Sequence, residues 1–248
     1  MKMLWTAPRT ERDARVELAI AYRAAAEFGW TDLGATHFTA RVPGEADAYL
    51  MLRAGLFFDE VTASNLMKVG LDGRVRDDDP NVLLNPAGVT IHSAIHDGNR
   101  AIGAVMHTHT RAGVAVANHP DGLLPLSQHA LRFYERVNVH AYEGVALDKD
   151  EGPRLIEQLG SNELLLLANH GLLVAGPDVP AAFSALYYAE MACRMQVDTL
   201  ATTTNPTMPD HSTCAHTVKQ YDATDGYMYR DWMGLVRHVE QAHPGFDE

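Results

Sequence analysis

The chain has 248 residues, 32 acidic against 20 basic, and a formal net charge of −12. That balance argues against sequence-independent binding to nucleic acid, which needs Lys and Arg at the phosphates, and against an anionic membrane surface. Hydrophobic residues at 46% and charged residues at 21% describe a globular chain able to bury a core, and no apolar run reaches the roughly 18–20 residues that span a bilayer.

From the N-terminus, Met1-Lys2-Met3-Leu4-Trp5 leads straight to Arg9, Glu11, Arg12 and Asp13, so no signal-peptide core is expected. The spacing of Leu18, Ala19, Tyr22, Ala25 and Ala26 predicts a helix that Gly29 ends. Residues 36–42 alternate, with Phe38, Ala40 and Val42 on one side, and predict a strand. A further alternating stretch ends at Leu71, and Asp72-Gly73 predicts a hairpin turn before Arg74-Val75-Arg76. The run Asp77-Asp78-Asp79-Pro80 suits a solvated turn. Pro86-Ala87-Gly88 is expected to turn ahead of a short helix carrying Ile91, Ala94 and Ile95. An apolar strand over 101–106 runs into His107-Thr108-His109. A second, over 163–168, ends at Asn169-His170-Gly171, with 172–175 continuing extended. Pro180 suits the first turn of a long helix through Ala185, Ala189 and Ala192. Short strands interleaved with helices, without a linker or repeat, indicate one layered α/β domain over residues 1–248. The only two cysteines, Cys193 and Cys214, fit a reducing cytoplasm rather than a disulfide scaffold.

Thirteen histidines are unevenly placed. On a strand, residues i and i+2 share a face, so His107 and His109 can aim two ring nitrogens at one point, at the roughly 2.1 Å reach of a metal–imidazole bond. A His-x-His pair is also compatible with two surface or cross-strand histidines. With His170 at the end of another apolar strand, the set would make a three-imidazole site with open positions, which is a catalytic rather than a closed structural pattern. His92 and His96, four apart, share one helix face, which the sequence leaves free to be solvent-facing.

The segment from Leu84 to His96 (Leu-Asn-Pro-Ala-Gly-Val-Thr-Ile-His-Ser-Ala-Ile-His), then Val105-Met-His-Thr-His-Thr110 and Leu167-Ala-Asn-His-Gly-Leu-Leu-Val-Ala-Gly176, resembles the class II aldolase/adducin family, most closely its adducin-like bacterial branch. Gly29-Trp-Thr-Asp-Leu33, the stretch from Thr36 to Pro43, Gly55 to Thr62, Ser127 to Tyr134 and His140 to Gly144 extend the resemblance over residues 10–200, with a C-terminal helical extension after it. The resemblance implies a three-layer α/β/α domain around a mostly antiparallel sheet, often a homotetramer with sites between subunits. It also implies a divalent metal (Zn, Mn, Fe or Co) held by His107, His109 and His170. Two departures from the family pattern matter. The sugar-phosphate enzymes carry a glutamate just after a Pro-Ser-Gly turn, whereas here Pro86-Ala87-Gly88 is followed by Val89, Thr90 and Ile91. Their phosphate-binding stretch is matched by Thr36-His37-Phe38-Thr39-Ala40-Arg41, which keeps the hydroxyl and the arginine but has His37 in place of an asparagine.

With that carboxylate missing, a lyase acting on a small keto- or hydroxy-carboxylic acid is expected, as a decarboxylase of an aromatic or heteroaromatic acid rather than a sugar-phosphate aldolase. Carbon dioxide leaves by itself, and only carbon needs reprotonation. His92 is the expected proton donor, with Tyr134 and then His37 behind it. His37, Thr39 and Arg41 are expected to bind substrate, and Arg132 is a second fork for a carboxylate. His129 and His140 are read as supporting groups behind the ligands or as structural rather than as ligands, and Tyr227, Tyr229 and Trp232 as packing or subunit contact. A three-histidine non-haem iron oxygenase and a non-catalytic adducin-like interaction module are the alternatives.

Overall fold

The computed structural model describes residues 5–77, 82–224 and 228–248; the expected turn at Asp78, Asp79 and Pro80 and the packing expected of Tyr227 lie outside the described residues. Helix α1 (Glu11–Glu27) starts at Thr10, whose hydroxyl accepts from the Asp13 amide while the Asp13 carboxylate accepts from the Thr10 amide. This reciprocal cap satisfies amides that the first turn leaves without partners. The buried face of α1 carries Leu18, Ala19, Tyr22 and Ala25 at the expected spacing. The Tyr22 hydroxyl donates to the Phe38 carbonyl at 2.6 Å and accepts from the Phe38 amide at 2.8 Å, which ties α1 to the first strand.

Seven strands form one sheet: β1 (His37–Arg41), β2 (Ala48–Leu52), β3 (Leu66–Gly70), β4 (Ala104–Thr108), β5 (Val137–His140), β6 (Leu164–Leu167) and β7 (Gly171–Gly176), in the order β3-β2-β1-β4-β7-β6-β5. Every neighbouring pair is antiparallel except β5 and β6. Alternation decides which layer each side chain enters. Phe38, Ala104, Met106, Leu164, Leu166, Leu172 and Val174 pack with α1 and with α6 (Val179–Thr202). Their neighbours Val105, Leu165, Leu167, Leu173 and Ala175 pack with α2 (Pro86–Gly98) and α5 (Gly152–Leu159). The four consecutive leucines of β6 thus serve both faces, as a central strand covered on each side requires. The remaining helices are α3 (Arg111–Ala117), α4 (Gln128–Leu131), α7 (His211–Ala223) and α8 (Met228–Ala242). Trp232 of α8 is buried against Phe183, and Tyr229 stacks on Trp5 at 4.5 Å. The result is a single three-layer α/β domain. No helix among the described residues is long and apolar enough to cross a membrane.

Two local expectations change and one is refined. Pro86-Ala87-Gly88 is no turn but the first turn of α2: Asn85 caps it by accepting from the Ala87 and Gly88 amides, and proline needs no partner at that position. The chain over 172–175 is extended as expected, and the structure adds that it runs back beside β6, with Leu167 opposite Gly171 in an antiparallel hairpin. After the Asp72-Gly73 turn, the return strand shrinks to the single bridge of Val75 with Val69.

Candidate metal centre

His107 is the fourth residue of β4, and it points with Val105 toward the α2 side of the sheet. Across the ladder it faces His37, one of the four residue pairs that join β1 to β4. His109 follows the strand end, just ahead of α3, which Thr110 caps through the Gly113 amide. His170 sits in the β6–β7 reversal, beside Asn169 in a left-handed conformation (φ 58°). Gly171 lies flat on β4: a Cβ there would collide with the Thr108 carbonyl oxygen, so only glycine brings this hairpin close enough to deliver His170.

The three rings meet at their Nε2 atoms. His107 Nε2 lies 2.7 Å from His109 Nε2 and 3.2 Å from His170 Nε2, with ring centroids 4.6–4.7 Å apart. His107 Nδ1 donates to the Leu172 carbonyl at 2.8 Å, and His109 Nδ1 faces the Asp32 carboxylate at 2.9 Å. Those partners keep the ring protons on Nδ1 and turn the Nε2 lone pairs inward, toward one another. Lone pairs so placed repel unless a cation sits among them, so the donor set fits one divalent metal with three nitrogen ligands. Burial, with the neighbouring imidazoles adding to it, holds His107 well below the usual histidine range and His170 down to about 4, which keeps the ligands neutral.

The triad borders a cavity of about 350 Å³ that His37, Gly88, Tyr142 and Val145 also line. Among the described residues no Asp, Glu, Lys or Arg lines it. His37 is nearly sealed from solvent, and neither of its ring nitrogens has a partner. Burial, then the nearby His109, lowers its pKa to about 4.

Other expected site residues are placed elsewhere. His92 and His96 are fully buried beneath α2, not exposed on it. The Thr39 hydroxyl sits between them, 2.7 Å from His92 Nδ1 and 2.9 Å from His96 Nε2, so it is a buried bridge rather than a substrate contact. His92 does not reach the cavity; its Nε2 is unpartnered and its ring stands edge-on to His37, 6.2 Å between centroids. Arg41 is spent on backbone: its guanidinium donates to the carbonyls of Ala46, His96 and Ile102. Tyr134 packs away from the triad, its hydroxyl 3.0 Å from His211 Nδ1. Arg132 pairs with Glu163 and Ser184, His129 stacks on Tyr188, and His140 contacts Glu151. Sequence reasoning assigned no role to Asp32, Asn169 and Tyr142. All three fall inside the family motifs, which is the signal that could have found them.

Residues 16–197 match the family model described as Class II Aldolase and Adducin N-terminal domain. The chain belongs to the class II aldolase and adducin family. A solved aldolase II superfamily protein from Pseudomonas syringae is 42% identical and superposes with a TM-score of 0.92, covering 98% of each chain. Rat alpha-adducin is 40% identical over 79% of this chain, a region that makes up 27% of the adducin. An L-fuculose 1-phosphate aldolase from Glaciozyma antarctica, 23% identical, shares the fold with a TM-score of 0.85 over 97% of this chain and 96% of that one.

Proposed function

We propose that this family member is a metal-dependent carbon–carbon lyase acting on a small keto- or hydroxy-carboxylic acid, as a decarboxylase of an aromatic or heteroaromatic acid. One observation carries the reading: three converging Nε2 atoms open onto a small cavity lined also by the unpartnered imidazole of His37 and by Asn85, Tyr142 and Asn169, with no Asp, Glu, Lys or Arg among its described lining residues. A phosphate would find no Lys or Arg there, which speaks against the phosphorylated sugar named for the Glaciozyma aldolase.

When bound, a divalent ion supplies Lewis-acid stabilisation of the negative charge that develops on the substrate oxygen as the carbon–carbon bond breaks. His107, His109 and His170 would hold that ion, and the Leu172 carbonyl and Asp32 keep two of the three rings in the ligating tautomer. Carbon dioxide departs without its bonding electron pair, which stays on the substrate as an enolate; one proton must then reach carbon. His37 has both nitrogens free, so it can deliver a proton from one while taking another at the second. The donor role expected of His92 therefore passes to His37, with His92 and Thr39 packed behind it. The assembly is read as a homotetramer with no nucleic-acid or membrane partner, and its place as the cytoplasm, in keeping with two buried free cysteines.

Elemental analysis of the purified protein, followed by a carbon dioxide assay over a panel of aromatic and aliphatic hydroxy- and keto-acids, tests the reading. His107→Ala should lose the metal, and His37→Ala should keep it while turnover falls about 10²–10⁴-fold. Rapid cleavage of L-fuculose 1-phosphate would overturn the decarboxylase assignment, and oxygen consumption with bound iron would move the protein to the oxygenases. The likeness to alpha-adducin favours a second reading, an interaction module without turnover; a metal-loaded protein inert to the whole panel would support it.

A further inference from the structure

Alternation along 107–110 sends His107 and His109 to the cavity and Thr108 and Thr110 to the opposite side, where α6 passes. There Glu190 is fully buried, with Leu186, Ala189 and Cys193 of the same helix equally sealed. Its carboxylate receives both hydroxyls: Thr108 Oγ1 donates to Oε1 at 2.6 Å, and Thr110 Oγ1 donates to Oε2 at 2.6 Å. The Thr110 hydroxyl in turn accepts from the Gly113 amide at 3.1 Å, so the same contact sets where α3 begins.

Such an arrangement is a poor device for stability alone. A buried carboxylate gives up its hydration, and apolar groups of similar shape would serve the core as well or better, save for the cap that Thr110 gives α3. Its geometry has another consequence. Two short hydrogen bonds from residues 108 and 110 to one rigid helix fix the peptide planes on both sides of His109. They also fix the plane that follows His107. The directions of both ligand side chains are thereby set from behind.

We infer that Glu190 is a positioning residue of the metal centre: by clamping Thr108 and Thr110 to α6 it aims His107 and His109 at their common point. This rests on the metal-binding reading of the triad, and Glu190 itself touches neither metal nor substrate.

The test titrates Co²⁺ into protein stripped by a chelator, reading the dissociation constant and the visible d–d bands, which report ligand geometry. Glu190→Gln preserves shape but can accept from only one threonine. The triple variant Thr108→Val, Thr110→Val, Glu190→Met replaces the whole clamp by apolar groups and should retain the parent's thermal midpoint to within a few degrees. Both should bind Co²⁺ about 10–100-fold more weakly with altered bands. Val239→Ala, a cavity in α8 away from the centre, should leave the affinity of the folded protein unchanged. Parent affinity and parent bands in Glu190→Gln, or in the folded triple variant, would overturn the inference; if the triple variant does not fold, Glu190→Gln decides. Equal weakening by Val239→Ala would also overturn it, since general loosening would then explain the effect. A parent that takes up no Co²⁺ would sink the metal reading and this inference with it, whereas a binding parent with unchanged Glu190 variants sinks only the clamp.

Discussion

His37 and Gly88 occupy each other's space across the boundary between sheet and helix. A Cβ on Gly88 would stand 2.7 Å from His37 Nδ1 and 2.6 Å from the Met51 methyl, closer than real side-chain atoms sit. Gly88→Ala should therefore displace the imidazole by a fraction of an ångström or more, and misplacing a reacting group by about 1 Å costs up to about 10²-fold. Metal content should stay at the parent's level while initial rates fall about 10–100-fold; full turnover would show that His37 does not act from this position. At this scale the sequence carried the convergence of the histidine triad well, because the two-residue spacing of His107 and His109 is a local geometric fact. The hairpin that presents His170 was not legible as such, since Asn169 takes a left-handed conformation that a run of leucines does not announce. His92 and His96 do share a helix face, as their spacing requires. Which way that face looks depends on β1 passing beneath α2, and nothing local encodes it. Arg41 had the chemistry of a carboxylate fork, but the carbonyls of Ala46, His96 and Ile102 were already within its reach.

Among the elements, α1 carries an ionisable group whose cost is measurable. Glu17 is buried on this helix, and Trp5 Nε1 donates to it at 2.6 Å. Burial is the main cause that raises its pKa to about 8, with Asp178 and Asp13 adding to the effect and the Trp5 hydrogen bond opposing it. The folded state thus binds a proton that the unfolded chain, with its carboxyl near 4.5, releases. Between those values the folded form holds more protons, so stability is fully present below about pH 4.5 and is lost as pH rises toward 8. His96 acts in the opposite sense: burial lowers its pKa to about 3, so acidification below the usual histidine range destabilises the fold. That histidine is the same in variant and parent, so a difference between the two isolates Glu17. Glu17→Gln, which keeps an acceptor for the indole, should raise the thermal midpoint at pH 8 and flatten its fall between pH 6.5 and 8, by a difference of order a few kcal/mol. Parallel pH curves for variant and parent would mean that Glu17 titrates normally. The first helix, β1 and the long α6 were legible because each has a clean period and a cap or proline at its start. Strands β2 and β5 were not, because Ala48–Leu52 is buried on both faces and does not alternate, while Val137–His140 is short and follows a run of turns.

Over the whole molecule, seven strands with helices on both faces leave two outer strands, and the cavity beside the histidine triad opens near one of them. Strand β5 ends the sheet on that side, and the chain leaving it exposes Tyr142, Val145 and Leu147 to between 53% and 69%, with Val139 of β5 itself at 44%. Tyr142 and Val145 line the cavity. An open strand edge beside a run of exposed apolar side chains invites pairing with another chain, and isolated domains usually blunt such edges with charge or proline. Here Glu143 is turned aside into an ion pair with Arg154, so the apolar side chains keep the rim. The class II aldolase and adducin fold was legible as a whole from the order of its motifs, yet the number of copies is a property of surfaces that no periodicity reports. A homotetramer that covers this rim should show a mass of about 109 kDa by light scattering at micromolar concentration, four times the 27.2 kDa chain. Replacing Val145 and Leu147 together by glutamate should bring the mass down toward that of one chain without loss of helical signal, since both side chains are exposed in the folded protomer and removing them opens no cavity. It should also lower turnover, because Val145 lines the cavity and a glutamate there would add a negative charge beside the site. A parent that scatters as a 27.2 kDa particle would contradict the assembly. A double variant that keeps the parent's mass would place the contact on some other face of the domain.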